Sequence, residues 1–472
     1  MATKRKPPTK PTKSPVKHPQ LPTHTSTPTH PSTRSQQPVR GIAVGTPIFA
    51  EPRPTPDPTK YTVAHASDTA AYNEMDALIK ASKFVPIAFP AVAGVTEPVL
   101  NLADTLGAAG PATVATIQKA GQIVFHCVGD TGNTTKPTPE NEVADKMLAD
   151  FTGEAAAAVP QFFYNLGDIV YSFGEHQYYY DQFYDAFRDY PRPIVAIPGN
   201  HDGIVLPPPA GTGDLSTSLA AFLTNFCAPS FAHSPDAVGI SRTTMIQPGV
   251  YFTFQAPLVR ILGVYSNMLE NPGVISSTVN PSTGKPTFPQ LSDVQLSFLT
   301  AALTRVKTDN FTGAVLIAVH HPPYTFGIHT GSAVMLKEID ACCASAGVWP
   351  HAILSGHSHN YQRYTRALPV GKTTRQIPFL VLGNGGHGIT KLSGSIRTPQ
   401  PMPIFAQPER NDTVTFESYD DTNYGYARIL VTTTQLRIEY HPASDGATTK
   451  TPDDSVTIDL ATGTLTTYIP PA

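Results

Sequence analysis

Val315-Leu316-Ile317-Ala318-Val319-His320-His321-Pro322 sets five apolar residues, three of them β-branched, directly before two histidines and a proline. A run this short and this apolar fits a strand buried on both faces, as in the interior of a layered sheet. The figure recurs along the chain. Ile123-Val124-Phe125 leads into Gly129-Asp130-Thr131-Gly132, and Phe162-Phe163-Tyr164 leads into Gly167-Asp168-Ile169-Val170-Tyr171. Ile194-Val195-Ala196-Ile197 leads into Gly199-Asn200-His201-Asp202, and Ala352-Ile353-Leu354 into Gly356-His357-Ser358-His359. Helical patterns lie between these runs. Tyr179, Phe183 and Phe187 form an i, i+4, i+8 stripe, and Ser292 with Gln295 reads as a capping box ahead of Leu296, Leu299 and Leu303. The alternation predicts an α/β layered sheet with its function at the C-terminal ends of the strands.

Outward from this centre the pattern changes. Upstream, Ser67 to Lys83 reads as a helix capped by Ser67 or Asp68, with Tyr72, Met75, Leu78 and Ile79 at helical spacing. Pro111 to Ala120 reads as a second short helix, with Gly121 just past its end. Downstream of residue 360 the chain turns to strands around Phe379-Leu380-Val381, Ala427 to Val431, Leu436 to Tyr440 and Val456 to Leu460, expected as a second sheet packed on the first. Residues 204–218 and 269–290, rich in Pro, Gly, Ser and Thr, read as long surface loops near the mouth of the site.

The first 60 residues hold ten Lys/Arg against two Asp/Glu, so the rest of this chain of net charge −3 carries −11. They also hold 14 of the 48 prolines. Such a segment buries too little apolar surface to offset its ordering entropy and is expected to be a disordered Pro/Thr/Lys-rich tail, suited to contact anionic partners. A basic tail on an acidic globule does not resemble a nucleic-acid-binding core. Lys4, Arg5 and Lys6 are not followed by an apolar stretch, so no secretory signal is read. The most apolar segment, Phe84 to Leu100, is broken by Pro86, Pro90, Glu97 and Pro98, so no membrane span is expected either. A cytoplasmic location follows as the expectation. The four cysteines, Cys127, Cys227, Cys342 and Cys343, show no C-x-x-C spacing, which speaks against a zinc ribbon, and the adjacent pair Cys342-Cys343 reads as buried thiols rather than a disulfide.

The strand-end motifs bring together carboxylate, phenolate and amide oxygens with imidazole nitrogens, a mixture suited to a pair of metal ions. Asp130, Asp168 and Tyr171 favour a hard, highly charged ion, which must depress a phenol that otherwise titrates near 10. Asn200, His320 and His357 suit a borderline divalent ion. Asp168 is the natural bridge, and His359, two residues after His357, can reach the neighbouring metal.

In this order the motifs resemble the metallophosphoesterase (calcineurin-like) superfamily and, within it, the purple acid phosphatase branch. Most of the superfamily opens with D-x-H, but here the third position is Gly132. Purple acid phosphatases replace that histidine with a tyrosine in the second motif, and Tyr171 stands there. The resemblance implies a four-layer α/β-β/α sandwich of two mixed sheets flanked by helices. It implies Fe(III) on Asp130, Asp168, Tyr171 and His359, and divalent iron, zinc or manganese on Asp168, Asn200, His320 and His357. It implies that His201 contacts the phosphate or leaving group, with Asp202 orienting its ring. His329, nine residues after His320, is implied as a substrate contact or general acid. The substrate is then a small phosphate monoester, attacked in line by a metal-bound hydroxide at mildly acidic pH. The resemblance covers about residues 118–445. It leaves 61–118 as an N-terminal extension with short helices packed on the core, and 119–472 as the catalytic domain.

Other histidines and one arginine are read more plainly. His321 is either a support for the site or a solvent-facing residue, His176 a surface residue, and His387 a structural residue or part of the pocket lining. Arg363 is expected as a structural anchor. A phosphodiesterase or nucleotide hydrolase on the same scaffold is the alternative activity. The alternative outside enzymes is a metal-binding interaction protein with a dead site.

Overall fold

The computed structural model describes residues 45–50, 68–81, 83, 92, 94–155, 157–207, 218–276, 293–392, 396–401, 412–444 and 451–470. Most of the expected tail, the Ser67 and Ser292 caps, and the greater part of both expected surface loops lie outside them. Helices run over Asp68–Lys80 (α1), Leu102–Thr105 (α2), Gly110–Ala120 (α3), Thr138–Ala149 (α4), Asn200–Gly203 (α5), Ala220–Phe226 (α6), Val294–Thr308 (α7) and Ala333–Ala346 (α8). Strands run over Val99–Asn101 (β1), Gln122–Val128 (β2), Pro160–Asn165 (β3), Ile194–Ala196 (β4), Phe252–Ala256 (β5), Val259–Val264 (β6), Ala314–Val319 (β7) and Ala352–Ser355 (β8). They continue over Tyr361–Val370 (β9), Thr373–Leu382 (β10), Gln400–Pro401 (β11), Thr413–Asp420 (β12), Gly425–Thr432 (β13), Gln435–Pro442 (β14), Asp454–Asp459 (β15) and Thr464–Leu465 (β16).

These strands form two mixed sheets flanked by helices. One has the order β1-β5-β6-β7-β8-β10-β9-β12-β11, the other β16-β15-β14-β13-β2-β3-β4. The downstream strands therefore do not make a sheet of their own. β10 pairs parallel with β8, while β13 pairs antiparallel with β2. Apolar runs read identically whichever sheet they join, so sequence periodicity carried no information about this partition.

The strands alternate as a doubly covered sheet requires. Along β7, Leu316 and Ala318 join an apolar cluster that draws on both sheets, with Phe125 of β2, Phe254 of β5 and Ile429 of β13. Val315, Ile317 and Val319 point the other way and pack with Leu299 and Leu303 of α7 and Leu336 and Ile339 of α8. Gln295 serves this packing. Its side chain accepts from the Tyr265 N–H (2.8 Å) and donates to the Tyr265 and Ile275 carbonyls (2.8 and 3.1 Å), tying α7 to the end of β6. Gly121 ends α3 in the left-handed conformation (φ 63°), as its position past the helix predicted. The Tyr179–Phe187 stripe is buried as expected, but in short 3₁₀ and π turns rather than an α-helix. All four cysteines are free thiols. No helix among the described residues is long and apolar enough to cross a membrane.

The partition matters for function. β2, β3 and β4 run parallel in one sheet, and β7 and β8 run parallel in the other. Their C-terminal ends meet where the sheets abut. There the Gly129 N–H donates to the Leu382 carbonyl (2.8 Å) at the end of β10, and the His387 N–H donates to the Asp130 carbonyl (2.9 Å).

Candidate metal centre

Each expected ligand sits on the turn that follows one of these strands. Three turns are unusual: Asp130, Asp168 and His357 have φ of 56°, 53° and 68°. Left-handed backbone costs a non-glycine residue roughly 1–2 kcal/mol and persists where surrounding structure imposes it, often at functional sites. Here it turns each side chain back across the sheet ends. The neighbouring glycines make room. A Cβ on Gly199 would lie 2.0 Å from Asp168 Oδ1, so only glycine lets that carboxylate settle against the third turn.

Two donor sets result. In one, the Tyr171 hydroxyl donates to Asp130 Oδ1 (3.1 Å) and lies 3.4 Å from His359 Nε2, which is itself 3.6 Å from Asp130 Oδ1. In the other, Asn200 Oδ1 lies 3.0 Å from both His320 Nε2 and His357 Nδ1, and His320 Nε2 is 3.2 Å from Asp168 Oδ2. Ligand atoms of Asp168, His320 and His357 lie within 4.8 Å of one another. Asp168 belongs to the second set through His320, and burial together with the charges of Asp130 and Asp168 holds the Tyr171 phenol well above its usual range.

The donors fit cations. Asp168 Oδ2 is fully buried and has no hydrogen-bond donor aligned on it. Burial, reinforced by the surrounding imidazoles, keeps His357 and His359 well below the usual histidine range, so they offer lone pairs. Burial would also lower His320, but Asp168 and Asp130 outweigh it and raise it to about 9. A cation held by these residues would compete with that proton and with the Tyr171 proton.

Around the donors the structure separates several readings. The Nδ1–H of His201 donates to the Ser172 carbonyl (2.7 Å), which fixes its tautomer, and its backbone N–H donates to Asp168 Oδ1 (2.8 Å). Asp202 does not orient that ring. Its carboxylate accepts from the N–H groups of Ile169 (3.1 Å) and Gly199 (2.9 Å) and so ties the second motif's turn to the third. Adjacency in sequence suggested the pairing, but the turn of α5 points the two side chains apart. His329 reaches the site: its ring lies 4.5 Å from that of His357, and Nδ1 is 3.1 Å from Glu270 Oε1. His321 is fully buried, between Ser266 Oγ (2.7 Å) and the Leu269 carbonyl (2.8 Å), which settles it as a support. His387 stacks on Tyr171 at 3.7 Å and lines the site. His176 pairs with Asp236 at the surface, and Arg363 forms a two-pronged bond to Asp454 (2.8 and 3.0 Å), the anchor expected of it. Sequence reading missed Glu270 and Tyr72, for neither belongs to a motif.

Gly132 explains the absent first-motif histidine. A Cβ there would lie 2.5 Å from both the Ile169 carbonyl oxygen and Gln182 Oε1. No side chain fits, and the Tyr171 hydroxyl occupies the adjoining donor set.

A family model for calcineurin-like phosphoesterases matches residues 123–361, from the first motif-bearing strand to just past the last ligand. The chain belongs to the calcineurin-like phosphoesterase family. It is thus a metal-dependent phosphoester hydrolase, with a binuclear centre implied by the family and a phosphorylated substrate. No match is found among curated proteins. Similar solved structures include GAP50, the anchor in the inner membrane complex of Plasmodium, at 13% identity and TM-score 0.43, covering 69% of this chain and 86% of that one. PhoD matches at 13% identity and TM-score 0.40, covering 72% and 70%. A dimetal phosphatase from Danio rerio matches at 11% identity and TM-score 0.37, covering 72% and 99%.

Proposed function

We propose that this calcineurin-like phosphoesterase is a phosphomonoesterase of the purple acid phosphatase type. Asp130, Asp168, Tyr171 and His359 would hold a ferric ion. Asp168, Asn200, His320 and His357 would hold divalent iron, zinc or manganese. One observation carries the reading: the Tyr171 hydroxyl meets Asp130 and His359 beside Gly132, where no side chain fits. A phenol held so far above its usual range gives up its proton only to a strong Lewis acid.

When bound, the metal pair supplies Lewis acidity to a water and to the phosphoryl oxygens. The chain's own residues do the remaining work. His201, anchored through Nδ1, keeps Nε2 available for a phosphoryl or leaving-group oxygen. His329, backed by the Glu270 carboxylate, is placed to deliver a proton to the departing oxygen. Burial of the carboxylates and imidazoles strengthens each of these interactions relative to water.

The test is metal content and the visible spectrum of the wild type and Tyr171→Phe. Iron with a violet absorption that bleaches in the variant is the expected result. Two metals without that colour would move the protein to another branch and favour the phosphodiesterase alternative. Turnover of a monoester and a diester of one aryl alcohol then separates the two activities. A metal-loaded protein inert toward both would point to a dead site.

A further inference from the structure

We infer that Tyr72, supplied by α1 from outside the phosphoesterase match, is a positioning residue of the second metal subsite. This rests on the dimetal reading above. Tyr72 is nearly buried, and its ring stacks on His201 at 4.5 Å with 28° between the planes. Its hydroxyl accepts a hydrogen bond from Asn200 Nδ2 at 2.7 Å. The loop that carries Glu270, the partner of His329, packs on the same helix.

In the bond between Asn200 and Tyr72 the amide donates and the Tyr72 oxygen accepts. The amide nitrogen thus faces Tyr72, and Asn200 Oδ1 faces His320 and His357, the orientation a metal ligand needs. An amide without such a partner can turn over and present its NH₂ to the cation. The Tyr72 ring confines His201 together with Tyr171, whose ring lies 4.4 Å from it. One side chain therefore sets both a ligand and the phosphate-facing histidine.

α1 is built to hold that side chain. Tyr72, Met75 and Ile79 pack with Phe173, Ile204, Val205, Met268 and Leu269, from the loops after β3, β4 and β6. The Glu270 N–H donates to Asp76 Oδ1 at 3.4 Å, a further tie between helix and loop. The helix spans the loops that carry Asn200 and Glu270, so its docking and the alignment of the site are linked.

Three full-length variants, Tyr72→Phe, Tyr72→Ala and Met75→Ala, are titrated with zinc in competition with a chromogenic chelator, and kcat and KM are measured at saturating zinc. Tyr72→Phe keeps the ring and removes the hydroxyl, and should weaken the second zinc about 10- to 100-fold, the usual cost of losing a partner that orients a ligand. Zinc or iron at the Tyr171 subsite should be retained. Tyr72→Ala, which also frees His201, should lower kcat further with little change in KM. Met75→Ala removes packing from the same face, and should lower thermal stability without changing zinc affinity. Wild-type affinity and kcat in Tyr72→Phe overturn the inference, as does equal weakening in Met75→Ala or a wild type with no second zinc. The titration needs no turnover. A wild type that hydrolyses no phosphoester while Tyr72→Phe still loses zinc would sink the phosphatase reading and leave the positioning role standing.

Discussion

Two buried charged clusters in this molecule are built on opposite plans. Away from the metal centre, Arg366 is 1% exposed and lies between Asp340 and Asp412. Its Nη1 and Nη2 donate to Asp340 (2.8 and 2.6 Å) and its Nε to Asp412 (2.9 Å). A fixed internal cation answers the carboxylates, and the cluster joins α8 to β9 and to the start of β12. At the metal centre, Asp130 and Asp168 are equally buried but face imidazoles, an amide and a phenol. Burial, with the charge of Asp168 adding to it, raises Asp130 well above the carboxylate range. The first cluster carries its own cation and serves the fold. The second holds carboxylates with no fixed cation beside them, the arrangement the proposed metal pair would complete.

The most disruptive test of that contrast is Asp130→Asn. The amide keeps the shape and removes the charge. Binding of metal at the Tyr171 subsite should fail, and kcat should fall by at least about a thousandfold, the scale of several kcal/mol of Lewis-acid stabilisation. The metal-free protein should melt no lower than the wild type, because a costly buried carboxylate has gone. A marked fall in metal-free melting temperature would show that Asp130 serves the fold after all.

Arg366→Met should do the reverse. It strands two buried carboxylates and should cost about 3–5 kcal/mol in denaturant unfolding, while the folded fraction keeps its kcat. Loss of turnover per folded molecule would erase the distinction between the clusters.

A smaller effect concerns pH. His351 accepts from the Val315 N–H at Nδ1 (3.0 Å) and donates to the Leu460 carbonyl from Nε2 (3.0 Å), a pattern only the neutral ring satisfies. Burial lowers it to about 4. As pH falls, the unfolded chain takes up this proton first, near the ordinary value of about 6.5. Its contribution is therefore complete above about 6.5 and is lost between there and about 4, amounting to at most about 3 kcal/mol. His351→Asn should flatten that part of the stability–pH curve without changing the pH profile of kcat. Ile48 is bonded to Thr243 and Phe49 is packed on the core, so the smallest effect is expected from deleting residues 1–43, which should change kcat less than about twofold. A large loss of turnover in that deletion would assign the tail a part in catalysis.

The donors expected at the site were legible because each is encoded locally. A short apolar run predicts a buried strand, the glycine after it predicts a tight turn, and the polar residue beyond must lie at the sheet end. Asp202 shows the limit of that logic. Its neighbourhood was right, but which backbone groups its carboxylate meets depends on the turn geometry of α5. Gln295 shows the same limit, since its sequence context fits a cap while its partners lie 30 and 20 residues away. Tyr72 lay further out of reach. In sequence it is one residue of an ordinary amphipathic stripe, and its hydroxyl meets Asn200 across 128 positions.

By itself the sequence determined the strands, the turns that end them, the donor types those turns carry and the exchange of Gly132 for Tyr171. All of these rest on spacing within a few residues, where chain connectivity dictates geometry. Only the tertiary structure decided which strands share a sheet, how two sheet ends combine into paired donor sets, and that a helix outside the phosphoesterase match supplies Tyr72. Those outcomes depend on packing between segments far apart in the chain, and apolar faces of similar composition leave that choice open until the whole core is assembled.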